Sequence, residues 1–265
     1  MKPFADLHSH TIGSLHGLST LYENKVKAGE QGMYFLACTD HLYYHEDDIL
    51  RKNEIARFLE CSNVRTAAGD VNIIPGIETN LHQKIDTNTA KRIESKVKWR
   101  LVGAHSWYLN PDKTYVGSLP GFYKDAVIYV SNDDTRRLRP ETEIRPTAFA
   151  HIQRNMMSYV GSTDMHYVIE TLRNIVDIAV DNNIFLEINN SDLVRNQKTD
   201  IELMKIWVAY AKTKHALFCL GTDAHYCEAV GDFRLTEEFL ETMDMEHEYI
   251  LNCDYSALKA FLTTT

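Results

Sequence analysis

One recurring unit organises the sequence. A short apolar run, long enough for a buried strand, ends in His, Asp or Glu, and a helix-like stretch follows. The runs are FADLHSH (4–10), MYFLACTDH (33–41), VNIIPGIET (71–79), RLVGAHS (100–106), PTAFAHI (146–152), IFLEINNS (184–191) and ALFCLGTDAH (216–225). Between them, TLYENKVKAGEQG (20–32) opens on a Ser/Thr cap and closes on Gly, and 165–183, 201–214, 237–245 and 254–262 carry apolar residues at helical spacing. Strands alternating with helices build parallel β/α units. About seven units in 265 residues predict one α/β, barrel-like domain over 1–265. Residues 106–146 break the rhythm. Rich in Pro, Asp, Arg and Tyr, with one strand-like piece, AVIYV (126–130), they read as an irregular insertion.

The polar ends of the runs carry the chemistry. In a parallel barrel the C-terminal strand ends form one face, where catalytic groups gather. His8 and His10 stand two apart, so in a strand both point the same way. His41 follows Thr39 and Asp40, Glu78 ends its own run, and His105 and His151 end two more. Asp223 and His225 repeat the two-residue spacing at the last strand. Packing alone gives no reason for such endings. Neutral imidazole and carboxylate are ligands for zinc, iron and similar ions. Asp6 and Asp40, beside these positions, either fix a ligand imidazole by hydrogen-bonding its far nitrogen or serve as surface acids and strand-end caps.

Charge and composition narrow the classes. The chain has 37 acidic and 28 basic residues, a net charge of −9, which disfavours a general nucleic-acid binder. Five scattered cysteines without a C-x-x-C pair indicate reduced thiols. The N-terminal MKPFADLHSH lacks a signal-peptide core, and no apolar run spans a bilayer, so a cytoplasmic protein without a membrane partner is expected. There is no P-loop and no G-x-S-x-G elbow.

Taken in order, DLHSHT with His16, TDH, the Glu of PGIE, separate histidines and GTDAH resemble the polymerase-and-histidinol-phosphatase (PHP) superfamily of metallohydrolases. LEINNS (186–191), LGTDAH (220–225) and ILNCDYSALKAFL (250–262) are similar to its small stand-alone phosphatases. Two departures are Ile152, where the family often has Pro after the histidine, and a longer stretch between His105 and His151. The resemblance implies a distorted (β/α)7 barrel of parallel strands with two to three divalent ions at the C-terminal strand ends. One ion would be held by His8, His10, Glu78 and Asp223, a second by His16, His41 and His225, and a third by Glu78, His105 and His151. So many imidazoles favour zinc, with iron or manganese as alternatives.

The implied activity is hydrolysis of a small-molecule phosphate monoester by attack of metal-bound hydroxide. Arg154, Arg195 and Asn189 are candidates for holding the substrate, and His45 for protonating the leaving group; Asn189 and Asn190 can equally cap a helix. Two other readings stand beside this one: a phosphodiesterase or 3′–5′ nuclease of the same family, and a noncatalytic, metal-stabilised interaction domain. A homo-oligomer is left open.

Overall fold

The computed structural model describes residues 2–14, 16–41, 71–79, 96–104, 118–131 and 147–263. Seven strands run in chain order: β1 (Ala5–Ser9), β2 (Phe35–Cys38), β3 (Asn72–Thr79), β4 (Trp99–Val102), β5 (Thr147–Phe149), β6 (Phe185–Asn189) and β7 (Phe218–Gly221). Each pairs in parallel with the next. The first and last strands meet beyond their ends through a Ser9–Ala224 bridge. Two backbone bonds of 2.8 Å, His10 N to Ala224 O and Asp223 N to His8 O, cross the same seam. Asn252 pins it again, donating to Ala5 O and Leu220 O and accepting from Leu220 N. The result is a nearly closed, distorted (β/α)7 barrel.

The alternation of each strand separates two apolar layers. Leu7, Phe35, Ala37, Ile74, Trp99, Leu101, Phe185 and Cys219 fill the barrel interior, with Leu251 and Leu258. Leu36, Val102, Phe149, Leu186, Ile188 and Leu220 face outward against Val168, Leu172, Ile175 and Trp207 of the helices. An interior plugged with side chains leaves room for polar groups only at the strand ends.

The first helix, α1 (Leu21–Glu30), starts at a Thr20–Glu23 capping box. The helices that follow are α2 (Leu119–Ser131), α3 (Met156–Tyr159), α4 (Met165–Asp181), α5 (Asn190–Arg195), α6 (Lys198–Thr213), α7 (Arg234–Thr242) and α8 (Tyr255–Thr263). Helix α2 corrects the sequence reading of 106–146. AVIYV belongs to this helix, not to a strand. Pro120 and Gly121 look like breakers, but proline is tolerated in a first helical turn. Leu119, Phe122, Tyr123 and Ala126, at helical spacing, are all buried in the outer apolar layer. The described part of the insertion is therefore the helix between β4 and β5. Its remainder, 106–117 and 132–146, lies outside the described residues.

Strand β1 carries the feature that aims the site. Ala5 pairs with Phe35 and Asp6 with Leu36, but Ser9 pairs with Cys38, so β1 holds one extra residue. This is a β-bulge at Leu7–His8. Without it, Leu7 inside the barrel would place His8 outside. The bulge lets Leu7 fill the interior and His8 still turn into the mouth. Both backbone groups at the bulge find side-chain partners. Trp99 Nε1–H donates to Leu7 O at 2.8 Å, and His8 N–H donates to Asp6 Oδ1 at 3.2 Å.

Candidate metal centre

The strand ends converge on Glu78. Its Oε2 lies 3.2 Å from His8 Nε2, 3.3 Å from His10 Nε2 and 3.1 Å from His41 Nδ1. Its Oε1 lies 2.9 Å from His151 Nε2. Asp223 Oδ1 is 3.5 Å from His8 Nε2 and 3.3 Å from His10 Nε2. On the far side of His10, His41 Nε2 is 3.2 Å from His16 Nε2, and the His16 and His225 rings stack at 4.5 Å. Among the described residues, two sets of side chains can each close on an ion: His8, His10 and Asp223, and His10, His41 and His225. His10 belongs to both. His8, His10, His41, Glu78, His151 and Asp223 are buried, and His225 is partly so. His105 and His45 lie outside the described residues.

The donor chemistry suits a cation. Imidazole nitrogens approach one another at 3.1 Å, His8 Nε2 to His10 Nε2, and at 3.2 Å, His41 to His16. Two such lone pairs can face each other only around a proton or a metal ion. Tautomers are set from behind. His225 Nδ1 faces Asp223 O at 2.9 Å, so it donates there and leaves Nε2 free to bind. His10 Nδ1 lies 3.0 Å from Ser14 Oγ, whose hydroxyl donates to Asp40 Oδ1 at 2.8 Å.

Electrostatics follow the same layout. Burial would lower the pKa of His10, but Asp223 and Glu78 override it and raise it to about 9. Burial, opposed by Glu187, Glu78 and Asp223, leaves His8 raised well above its ordinary value. Asp223 is held well below the usual carboxylate range: burial would raise it, and His8 and Arg154 outweigh burial. His225 goes the other way, down to about 4, through burial and repulsion by His10. Positive charge is thus favoured around His8, His10 and Asp223, whether protons or metal supply it.

Among the described residues with a left-handed backbone, two belong to the site. His151 (φ 36°) and Asp223 (φ 56°) occupy the left-handed region, which costs a non-glycine residue about 1–3 kcal/mol. Both belong to the convergent set. Gly221, two residues before Asp223, is needed for space. A Cβ there would lie 2.3 Å from His8 Cβ and 2.4 Å from Glu187 Oε1.

Where the sequence left two readings open for Asp6 and Asp40, neither carboxylate fixes an imidazole directly. Asp6 touches no imidazole. It pairs in register with outward-facing Leu36, and its carboxylate accepts from His8 N, Thr222 N, Thr222 Oγ and Gly231 N. Asp40 does not reach an imidazole directly either. It accepts from Thr11 and Ser14, and Ser14 carries its influence to His10. The carboxylate that fixes a ligand-candidate imidazole is Glu187, 2.6 Å from His8 Nδ1. Its signal is an acid within the apolar run FLEIN, on the same strand face as Phe185. Asn189, a substrate candidate, caps α5 through Ser191 N and donates to Glu187 Oε2 at 3.1 Å. Asn190 Oδ1 accepts from Thr236 at 2.8 Å. Arg154 reaches the site, donating to Asp223 Oδ2 at 2.9 Å. Arg195 lies exposed at the end of α5.

A parallel barrel with imidazoles and carboxylates gathered at its C-terminal mouth defines a class of metal-site barrels. Within that class the chain belongs to the PHP domain family, whose model matches residues 6–191. Among curated relatives, a "Probable phosphatase" of Shewanella halifaxensis is 27% identical over 263 residues, covering 99% of this chain and 94% of the relative. A "Probable phosphatase" of Clostridium acetobutylicum is 24% identical over 263 residues, covering 99% and 95%. Among solved structures, histidinol phosphate phosphatase from Lactococcus lactis, complexed with zinc, L-histidinol and phosphate, superposes with a TM-score of 0.56 at 14% identity, covering 93% of this chain and 95% of that one. The putative histidinol phosphatase of Listeria monocytogenes gives 0.60 at 17% identity, covering 88% and 99%. At those identities the likeness speaks for the fold.

Proposed function

We propose that this chain is a metal-dependent phosphatase that hydrolyses a small-molecule phosphate monoester at the barrel mouth. The observation that carries the reading is the two-sided use of Glu78. One oxygen faces His8, His10 and His41, and the other faces His151. A carboxylate so placed is suited to bridge two cations. Relatives spanning nearly the whole chain carry the name probable phosphatase, which agrees with this reading.

In this reading His8, His10, Glu78 and Asp223 would hold one ion, and His16, His41 and His225 would hold a second. Glu78 and His151 belong to a third site with His105. Zinc fits the donor set best, with iron or manganese next. Ions bound there supply a nucleophilic water at neutral pH and neutralise charge on the phosphoryl oxygens. Glu187 holds His8 with Nε2 toward the mouth, and Ser14 does the same for His10. Arg154 adds positive charge beside Asp223, where a phosphate dianion would sit. Arg195 and His45 remain the proposed second cation and leaving-group acid.

The test combines elemental analysis with turnover. Untagged protein purified without chelator is expected to hold two to three equivalents of divalent metal. It should release phosphate from p-nitrophenyl phosphate and from histidinol phosphate, and act more slowly on bis(p-nitrophenyl) phosphate. Chelation should abolish the activity and zinc or manganese restore it. Metal binding without any metal-dependent phosphate release would overturn the proposal in favour of a noncatalytic role.

A further inference from the structure

A second buried polar chain runs into the site from the helical layer. Trp207, fully buried on α6, donates from Nε1 to Gln153 Oε1 at 3.0 Å. Gln153 donates from Nε2 to Asp192 Oδ2 at 2.6 Å. Asp192 Oδ1 accepts from Arg154 Nε in a tight ion pair. Arg154 Nη2 then donates to Asp223 Oδ2 at 2.9 Å and to Ser191 Oγ at 3.3 Å. Gln153 and Asp192 are buried, and the Arg154 side chain is only 11% exposed. A buried chain in which each named group is partnered specifies one geometry.

Asp223 is the end point. Its two oxygens are divided: Oδ2 is held by Arg154, while Oδ1 faces His8 and His10. A free aspartate can turn either oxygen to a metal; here the guanidinium engages Oδ2, and Oδ1 is the oxygen turned to the imidazoles. A guanidinium beside a cation site also repels the incoming ion unless a second carboxylate offsets it. Asp192 is that carboxylate, and Gln153, anchored on Trp207, fixes its other oxygen.

We propose that Asp192 is a positioning residue that fixes and neutralises Arg154, and that Arg154 thereby restricts Asp223 to ligating the metal through Oδ1 alone. This rests on the metal reading of the site. It predicts opposite signs for two neighbouring substitutions. Asp192→Asn leaves the guanidinium without its offset and weakens metal binding. Arg154→Met frees Asp223 Oδ2, removes the repulsion and tightens it.

The experiment is a double-mutant cycle on the full chain loaded with Co2+, read by chelator competition and by visible absorption. Asp192→Asn should weaken Co2+ binding by on the order of tenfold. Arg154→Met should tighten it several-fold and lower the visible absorption per ion, since a second Asp223 oxygen raises the coordination number. The double variant should resemble Arg154→Met, rescuing the defect of Asp192→Asn. A merely structural Asp192 would lower the melting temperature with no change of sign and no rescue. If Asp192→Asn does not fold, Arg154→Met alone still decides: weaker binding or an unchanged spectrum overturns the proposal. Wild-type protein that binds no Co2+ would instead remove the metal reading itself.

Discussion

The first and last strands each supply a pair of site residues two positions apart, and they do so by different means. At the end of β1 the pair is His8, within the strand, and His10, just past it, both buried and set by a one-residue bulge whose loose backbone groups are taken up by Asp6 and Trp99. After β7 the pair is Asp223 and His225. Here the strand has already ended at Gly221, Asp223 takes a left-handed turn, and the His225 side chain is 28% exposed. Equal spacing in sequence thus hides unequal geometry. The β1 end is packed and pre-set. The β7 end is a turn laid against it, joined by the Asp223 N to His8 O and His10 N to Ala224 O bonds.

Removing ligand candidates from the two ends should break the comparison most forcefully. His8→Ala and Asp223→Ala are expected to lose metal and to cut phosphatase turnover on the order of a thousandfold, because each leaves buried charge unpaired as well as a coordination position empty. His225→Ala, at the partly exposed member of the β7 pair, where water can substitute, should cost about ten- to a hundredfold. Metal content and turnover measured on the three variants check this. Equal losses at all three would mean that His225 is held as closely as the buried His8 and Asp223.

Much of this was legible in the sequence, and the part that was not has a physical reason. Apolar runs closing on His, Asp or Glu reveal a parallel barrel with a polar mouth because burial and strand polarity leave few other arrangements. Period-two alternation, however, cannot show a bulge. It groups Asp6 with His8 and His10, whereas the extra residue puts Asp6 on the outer face and the histidines inside. Glu187 looks like one more strand-end acid until the Gly221 gap brings it beside His8. Asp40 reaches His10 only through Ser14, a long-range contact that spacing does not encode. Pro120–Gly121 hides a helix whose apolar face is clear only once the outer layer is seen.

Gly221→Ala probes the contact between the two ends. The new Cβ would fall 2.3 Å from His8 Cβ, so His8 or β7 must move. Overpacking of this kind costs about 1–3 kcal/mol. The expected outcome is a lower denaturation midpoint together with weaker metal binding. A destabilised variant with unchanged metal affinity would show that His8 tolerates displacement.

Asp6→Ala tests the bulge itself. Three backbone amides, those of His8, Thr222 and Gly231, lose their acceptor, and the Thr222 hydroxyl keeps only His8 O at 3.4 Å. The cost is about 1–3 kcal/mol for each buried donor left unsatisfied, reduced wherever water enters. Asp6→Asn keeps one accepting oxygen and should lose less. Urea melts and amide exchange at His8 read the effect. Unprotected His8 in Asp6→Ala, against a protected Asp223 amide, would separate the two ends.

The smallest effect is in pH, and it sets the two ends against each other. In metal-free protein His10 has its pKa raised to about 9: burial lowers it, and Asp223 and Glu78 more than compensate. Its stabilising contribution is therefore complete below the unfolded value near 6.5 and is lost as pH rises through about 9. His8, raised in the same sense, adds to that alkaline loss. His225 is lowered to about 4 by burial and by His10, so the unfolded chain takes up a proton there that the native state refuses. That contribution is lost as pH falls from about 6.5 toward 4. Metal-free protein should melt highest near pH 6.5, with an alkaline flank set by β1 and an acid flank set by β7. Bound metal replaces the protons on His8 and His10, so loading should flatten the alkaline flank and steepen the acid one, where protons compete for the ligands. Thermal melts across pH 4 to 10, with and without zinc, measure both flanks. An alkaline flank that survives loading would mean that His10 keeps its proton when the ion binds, and would take it out of the ligand set.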